Sequence, residues 1–214
     1  MAGPGDSDRQ ALERGLEALG IAVEARQGEQ LLAYLDELRR WSGSYNLVAK
    51  GELPQLLHKH LLDSLVILPF VQGPGLLDVG TGAGFPGLPL AIANPGLEVT
   101  LLDSAGKKIR FLNHVVRSLG LKNVTTVAER VENFSPAAGF STIVSRAFAT
   151  VPEFLRSVRH LVKPGTRLLA MKGRHPGAEL DGLPDTIRLE SVTPLVVPGL
   201  AAERHLVMMS AQSQ

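Results

Sequence analysis

An α/β fold, with a doubly wound, mostly parallel sheet, an N-terminal helical subdomain and an antiparallel C-terminal hairpin, is predicted by three features of the sequence. Five short apolar runs, LLDV (76–79), VTLL (99–102), VTTV (124–127), TIVS (142–145) and RLLAM (167–171), alternate with helix-like stretches, as buried parallel strands joined by crossover helices do. Ahead of them, apolar residues recur at helical spacing; behind them, IRLESVTPLVV (187–197) and RHLVMMS (204–210) follow one another without a helix between.

Taken in order, Leu31, Tyr34, Leu35, Leu38 and Trp41, then Leu53, Leu56, Leu57, Leu61, Leu65 and Leu68, give residues 6–70 one apolar helical face. Pro69 and the stretch QGPG (72–75) end that pattern. The boundary falls between a helical part, 1–72, and a sheet domain, 73–214. The last two runs meet at a turn containing Pro198 and Gly199, which makes them a hairpin on the edge of the parallel sheet.

The chain has 214 residues, 44% of them hydrophobic, and no cysteine. That excludes disulfides, thiolate metal sites and cysteine nucleophiles. Asp6, Asp8 and Arg9 stand where a signal peptide is apolar, and no run reaches the ~18 apolar residues of a membrane span. A soluble cytoplasmic protein without a membrane partner, and a monomer, is expected. The net charge of +1 conceals a segregation: residues 1–103 hold 7 Lys/Arg against 13 Asp/Glu, residues 104–175 hold 13 against 3, and residues 176–214 hold 2 against 5. The basic middle third is either a surface for a polyanion or a set of solvated helix faces.

DVGTGAGFPG (78–87) ends the first strand and opens a helix. Gly80, Gly82 and Gly84 let a backbone lie close beneath a ligand with its amides facing it. Gly82, Gly84 and Gly87 also satisfy the dinucleotide fingerprint G-x-G-x-x-G, so a nicotinamide cofactor is one reading. Asp78 tilts the choice to S-adenosylmethionine, because a carboxylate there suits a cationic sulfonium and repels a pyrophosphate. Asp103, ending the second strand, suits the ribose hydroxyls of either cofactor. Glu129 and Glu132, after the third strand, are candidates for an adenine pocket or are ordinary loop acids.

The acceptor is narrowed by subtraction. Pyrimidine C5 methylation generally needs a cysteine, and the Asn/Asp-Pro-Pro-aromatic motif of adenine amino methylation is replaced after the fourth strand by VSRAFA (144–149). Arg146 and Phe148 offer a cation and a π-face to a stacked, anionic nucleotide in RNA; alternatively, Phe148 is core and Arg146 pairs with a carboxylate. The six histidines form no H-E-x-x-H, and His58 and His60, two apart, face different sides of a helix. No metal site, G-x-S-x-G elbow or P-loop is present in the sequence.

WSGSYNLVA (41–49), KHLLDSL (59–65), DVGTGAGFPGLPLAI (78–92), LLDSAGKKIRFL (101–112), ERVENF (129–134), SRAFA (145–149), MKG (171–173) and ERHLV (203–207) follow one another in an order that resembles the bacterial 16S ribosomal RNA guanine-N7 methyltransferases, the glucose-inhibited division protein B family. The resemblance spans nearly the whole chain. It implies a class I, Rossmann-like methyltransferase that uses S-adenosylmethionine to methylate N7 of guanine 527, in the 530 loop of 16S RNA, free or in the small ribosomal subunit. It further implies cofactor contacts at Gly80, Phe85, Asp103, Val131, Glu132 and Arg146, and a link between loss of activity and low-level streptomycin resistance. Lys59 stands where many relatives have arginine. Guanine N7 carries a lone pair and no proton, so no side chain is expected to act as proton acceptor, and positioning should dominate. His60 and Asp63, three apart on one helical face, with Ser64, are substrate-side candidates or else fasten the helical part to the sheet. Lys172, Arg174 and Arg204 with His205 are candidate phosphate or base contacts, or else surface cations without a role. An RNA- or nucleotide-binding module without turnover is the alternative.

Overall fold

A computed structural model describes residues 4–212 apart from 147 and 149; Ala147 and Ala149 of the motif at 145–149 therefore lie outside the described residues. Seven strands form one sheet in the order β3-β2-β1-β4-β5-β7-β6. β1 (Gly75–Val79), β2 (Glu98–Asp103), β3 (Val124–Ala128), β4 (Thr142–Ser145) and β5 (Arg167–Lys172) are parallel. β6 (Ile187–Pro194) and β7 (His205–Ala211) form the expected antiparallel hairpin, with β7 paired to β5. The parallel strands lie within two residues of the runs read from the sequence; in β1 four of five residues are buried and in β4 all four, as side chains apolar on both faces require, whereas the edge strand β3 has no buried residue.

The connection from β1 proceeds to β2 and β3 on one side, whereas β4 and β5 lie on the other. The carboxyl ends of β1 and β4 therefore flank the crevice where ligands bind in open α/β sheets. One side of the sheet is covered by α4 (Gly87–Ala93), α5 (Gly106–Ser118) and the helical N-terminal part, which share a continuous core from Leu12 and Leu35 through Leu88 and Phe111 to Leu206. The other side carries α6 (Val151–Val158), whose Phe154 and Val158 pack on Leu77, Ile143 and Leu168.

The helical part comprises α1 (Pro4–Leu19) and α2 (Ala25–Tyr45), followed by a 3₁₀ turn (Lys50–Gln55), a π-helical turn (Leu57–Leu62) and a short α3 (Asp63–Leu65). A capping box between Glu24 and Gln27 opens α2, and Asn46, with φ of 48°, ends it in the left-handed region. Buried Leu31, Tyr34, Leu35 and Leu38 form its inner stripe. Among the described residues no helix is long and apolar enough to cross a membrane.

Candidate functional site

The loop after β1 owes its shape to its glycines. Gly80, Gly82 and Gly84 have φ of 70°, 64° and 109°, in the region that side chains with a Cβ rarely adopt. Gly84 is also enclosed: a Cβ there would lie 2.9 Å from Leu112, 3.0 Å from the Tyr34 hydroxyl and 3.1 Å from Leu88. From behind, the Tyr34 hydroxyl donates to the Ala83 carbonyl at 2.7 Å, so α2 braces the loop.

Two carboxylates hold this loop. Asp78 is fully buried, and its Oδ2 accepts from the Thr81 hydroxyl at 2.7 Å and the Gly87 amide at 2.8 Å, while Oδ1 has no hydrogen-bond partner among the described residues. Burial pushes its carboxyl up to about 6, against the lowering effect of those two hydrogen bonds. Asp103, at the end of β2, accepts from the Gly82 amide at 2.9 Å, the Ala105 amide at 2.8 Å and Lys108 Nζ at 3.2 Å.

Three adjoining hollows open at the carboxyl ends of the strands. The first, about 310 Å³, has Asp103, Val131, Glu132 and Phe148 in its wall, with both Glu129 and Glu132 present. The second, also about 310 Å³, lies between the glycine loop, Phe85 and the segment after α2, with Leu47, Glu52 and His60 on its far wall. Gly80 and Lys108 belong to both. The third, about 330 Å³, is lined by His60, Asp63, Arg146, Lys172 and Arg204. His60 and Arg146 form the partition between the second and third.

A charged network builds that partition. Asp63 is buried and accepts from Arg204 Nε at 2.7 Å and Arg146 Nη1 at 3.2 Å. Arg146 also donates from Nη2 to His60 Nδ1 at 3.1 Å and lies 5.0 Å over the Phe85 ring. His60 Nε2 meets Glu52 Oε2 at 3.0 Å, and Glu52 Oε1 pairs with Lys59. Burial, reinforced by the neighbouring Arg146 charge, lowers His60 to about 4. Folding therefore favours its neutral form: stability is complete above the ordinary histidine value of about 6.5 and is lost as pH falls towards 4, by up to about 3 kcal/mol. Thermal melting from pH 7 to pH 4 is expected to show this decline in the wild type and a smaller one in His60→Gln; equal declines would remove His60 from the account.

Placement corrects several expectations drawn from the sequence. Gly80, Gly82, Phe85, Asp103, Val131, Glu132 and Arg146 line the first two hollows, but Asp78 and Gly84 stand behind the loop and line neither. Asp78 acts on the loop through Thr81 and Gly87, because its carboxylate is turned inward. Phe148 stands at the first hollow, with its ring 5.7 Å from Phe154, and not beside Arg146 in the third. Ser64 is fully buried and donates to the His60 carbonyl at 2.6 Å, so it shapes the helix rather than a ligand surface. His205 lines none of the three hollows; its ring lies edge-on to His175. Lys172 lines the third and pairs with Glu179. His58 turns away to Pro198, as its two-residue offset from His60 requires.

An adenosyl group with a zwitterionic tail fits these residues: Asp103 at the nucleoside end, the Gly80 and Gly82 backbone beneath, Val131 as an apolar wall, and Arg146 as a cation for the tail carboxylate. A pyrophosphate fits less well, since the first hollow has three carboxylates, Asp103, Glu129 and Glu132, against two cations, Lys108 and Arg130, and Lys108 is paired with Asp103. A larger groove of about 720 Å³ runs along α6 between Leu155, Val162, Leu183 and Ile187, away from the glycine loop, and among the described residues no carboxylate side chain lines it.

Residues 27–207 match the model of the family described as GidB, rRNA small subunit methyltransferase G. The ribosomal RNA small subunit methyltransferase G of Alkalilimnicola ehrlichii is 48% identical over 207 residues, covering 97% of this chain and 94% of that protein. Its counterpart in Pseudomonas aeruginosa is 48% identical over 199 residues, covering 92% and 93%. Among solved structures, the S-adenosylmethionine-dependent methyltransferase SibL has a TM-score of 0.58 at 18% identity, over 97% of this chain and 74% of that one. TrmN from Thermus thermophilus has a TM-score of 0.55 at 18% identity, over 72% and 53%. These structural likenesses establish the class I methyltransferase α/β fold, and the sequence match establishes membership: the chain belongs to the GidB family, rRNA small subunit methyltransferase G.

Proposed function

We infer that this chain is an S-adenosylmethionine-dependent methyltransferase of 16S ribosomal RNA, acting on N7 of guanine 527. The observation that carries the reading is the adjacency of the cofactor-type hollow at Gly80 and Asp103 to the cation-lined hollow at Asp63, with His60 and Arg146 shared across the partition.

When bound, S-adenosylmethionine supplies an electrophilic methyl group. Asp103 orients the ribose, and the glycine loop fixes the backbone beneath it. Arg146 is held by Asp63, His60 and the Phe85 ring, so its guanidinium is in place before RNA arrives. Arg204 and Lys172 face the third hollow and suit the base and its phosphates. The exposed Lys107 and Arg110 of α5 extend the basic surface, whereas Lys108, from the same basic run, is committed to Asp103.

No group needs to take a proton, because guanine N7 presents a free lone pair. Single-turnover transfer at saturating cofactor and RNA is accordingly expected to be flat across about pH 6–9, without the rising limb of a required base. A rise following one titration, abolished by a single His or Asp replacement while both ligands still bind, would point to another acceptor atom. Running the assay on naked 16S RNA and on assembled subunits identifies the form of substrate; monomeric action is the reading that one chain with all three hollows supports.

A further inference from the structure

Residues 46–55 cross from α2 to the π-helical turn along the wall of the second hollow, and Val48 is the one buried side chain among them. The 3₁₀ turn within this segment buries none of its residues. Glu52 ties it to the body of the protein, with one oxygen on Lys59 and the other on His60. The hydrogen bond from Lys59, helped by its charge, holds the Glu52 carboxyl below its ordinary value despite partial burial, so it is an anion that only accepts hydrogen bonds. His60 must then carry its proton on Nε2, and Nδ1 is left with the lone pair. That lone pair faces Arg146 Nη2 at 3.1 Å.

We propose that Glu52 is a positioning residue for methyl transfer: it fixes His60 as the Nε2–H tautomer, so that His60 Nδ1 accepts from Arg146 and holds that guanidinium in the partition between the cofactor and acceptor hollows. The opposite tautomer would aim an N–H at the guanidinium and expel it from the position over Phe85. The inference rests on the assignment of these hollows to cofactor and RNA. It adds a residue on the wall of the second hollow opposite the glycine loop, whose effect passes through two others.

The test reads the His60 ring directly. Nitrogen-15 NMR of the wild-type imidazole at pH 7.5 should show a protonated Nε2 and an unprotonated Nδ1; a proton on Nδ1 overturns the proposal without any variant. In Glu52→Ala the ring should become a mixture of tautomers, and single-turnover transfer should fall about ten- to a hundredfold, the scale on which misplacement by an ångström acts. The RNA concentration for half-maximal rate should change by less than about threefold, since mispositioning at the chemical step leaves uniform binding intact. Glu52→Gln, whose side-chain carbonyl still accepts from Nε2–H, should restore the tautomer and most of the rate. A Glu52→Ala rate within twofold of wild type overturns the proposal, and so does a lost rate with an unchanged ring. Should the methylated atom differ from guanine N7, the wild-type reading of function fails, while the tautomer and rate changes still decide the role of Glu52.

Discussion

Replacing Asp63 by Ala is expected to lower stability by about 3–5 kcal/mol and to abolish most methyl transfer. The Asp63 side chain is 2% exposed, and its partners Arg146 and Arg204 are 25% and 17% exposed. Removing the carboxylate leaves two mostly buried guanidiniums next to each other without their anion, which costs more than the pair itself contributes. For a chain of this length the loss corresponds to a fall in melting temperature of about 10 °C. Asp63→Asn should be intermediate, because one oxygen still accepts from one arginine while the amide meets the other with a donor. A joint replacement of Asp63 and Arg204 should recover part of the loss, since one unpaired cation goes with the carboxylate. A melting temperature within about 2 °C of wild type in Asp63→Ala would mean that the network is ornamental and that Arg146 is held elsewhere.

Asp103→Ala should raise the dissociation constant for S-adenosylmethionine by about five- to a hundredfold, the equivalent of 1–3 kcal/mol. Two causes act together. The carboxylate that suits the ribose is lost, and the glycine loop loses its tie at the Gly82 amide. Lys108, which pairs with Asp103, would then bring an uncompensated cation to the wall of the first two hollows. Calorimetry on a variant shown to be folded checks this. An unchanged affinity would remove Asp103 from the nucleoside site and with it the placement of the cofactor.

The central strands β1, β4 and β5 are legible because burial on both faces leaves a continuous apolar run, the edge strand β3 through its β-branched residues alone, and the glycine loop because positive φ demands glycine. The π-helical turn is not: LHKHLL reads as ordinary helix by spacing, and the change of hydrogen-bond pattern that turns His60 towards Glu52 and Arg146 has no counterpart in periodicity. His60, Asp63, Arg146 and Arg204 each stand out singly in the sequence, but their assembly depends on contacts 83 to 141 residues apart in the chain. Glu52, Tyr34 and Lys108 do not read as site residues in the sequence, and for local reasons, since Glu52 meets residues seven and eight positions away and Lys108 one five away. Glu52 sits in a polar stretch that reads as solvated loop, Tyr34 sits on an apolar helical face that reads as core, and Lys108 sits in a basic run that reads as RNA surface. Asp78 was read by its place at a strand end, which told where the residue stands and not that its side chain turns inward.

The most direct measurement is transfer of an isotopically labelled methyl group from S-adenosylmethionine to 16S RNA, with the modified position and atom identified by nuclease digestion and mass spectrometry. The account predicts one labelled product, 7-methylguanosine at position 527, lost in Asp63→Ala and weakened at subsaturating cofactor in Asp103→Ala. Label at another base or on another atom, or none despite bound cofactor and intact RNA, would contradict it.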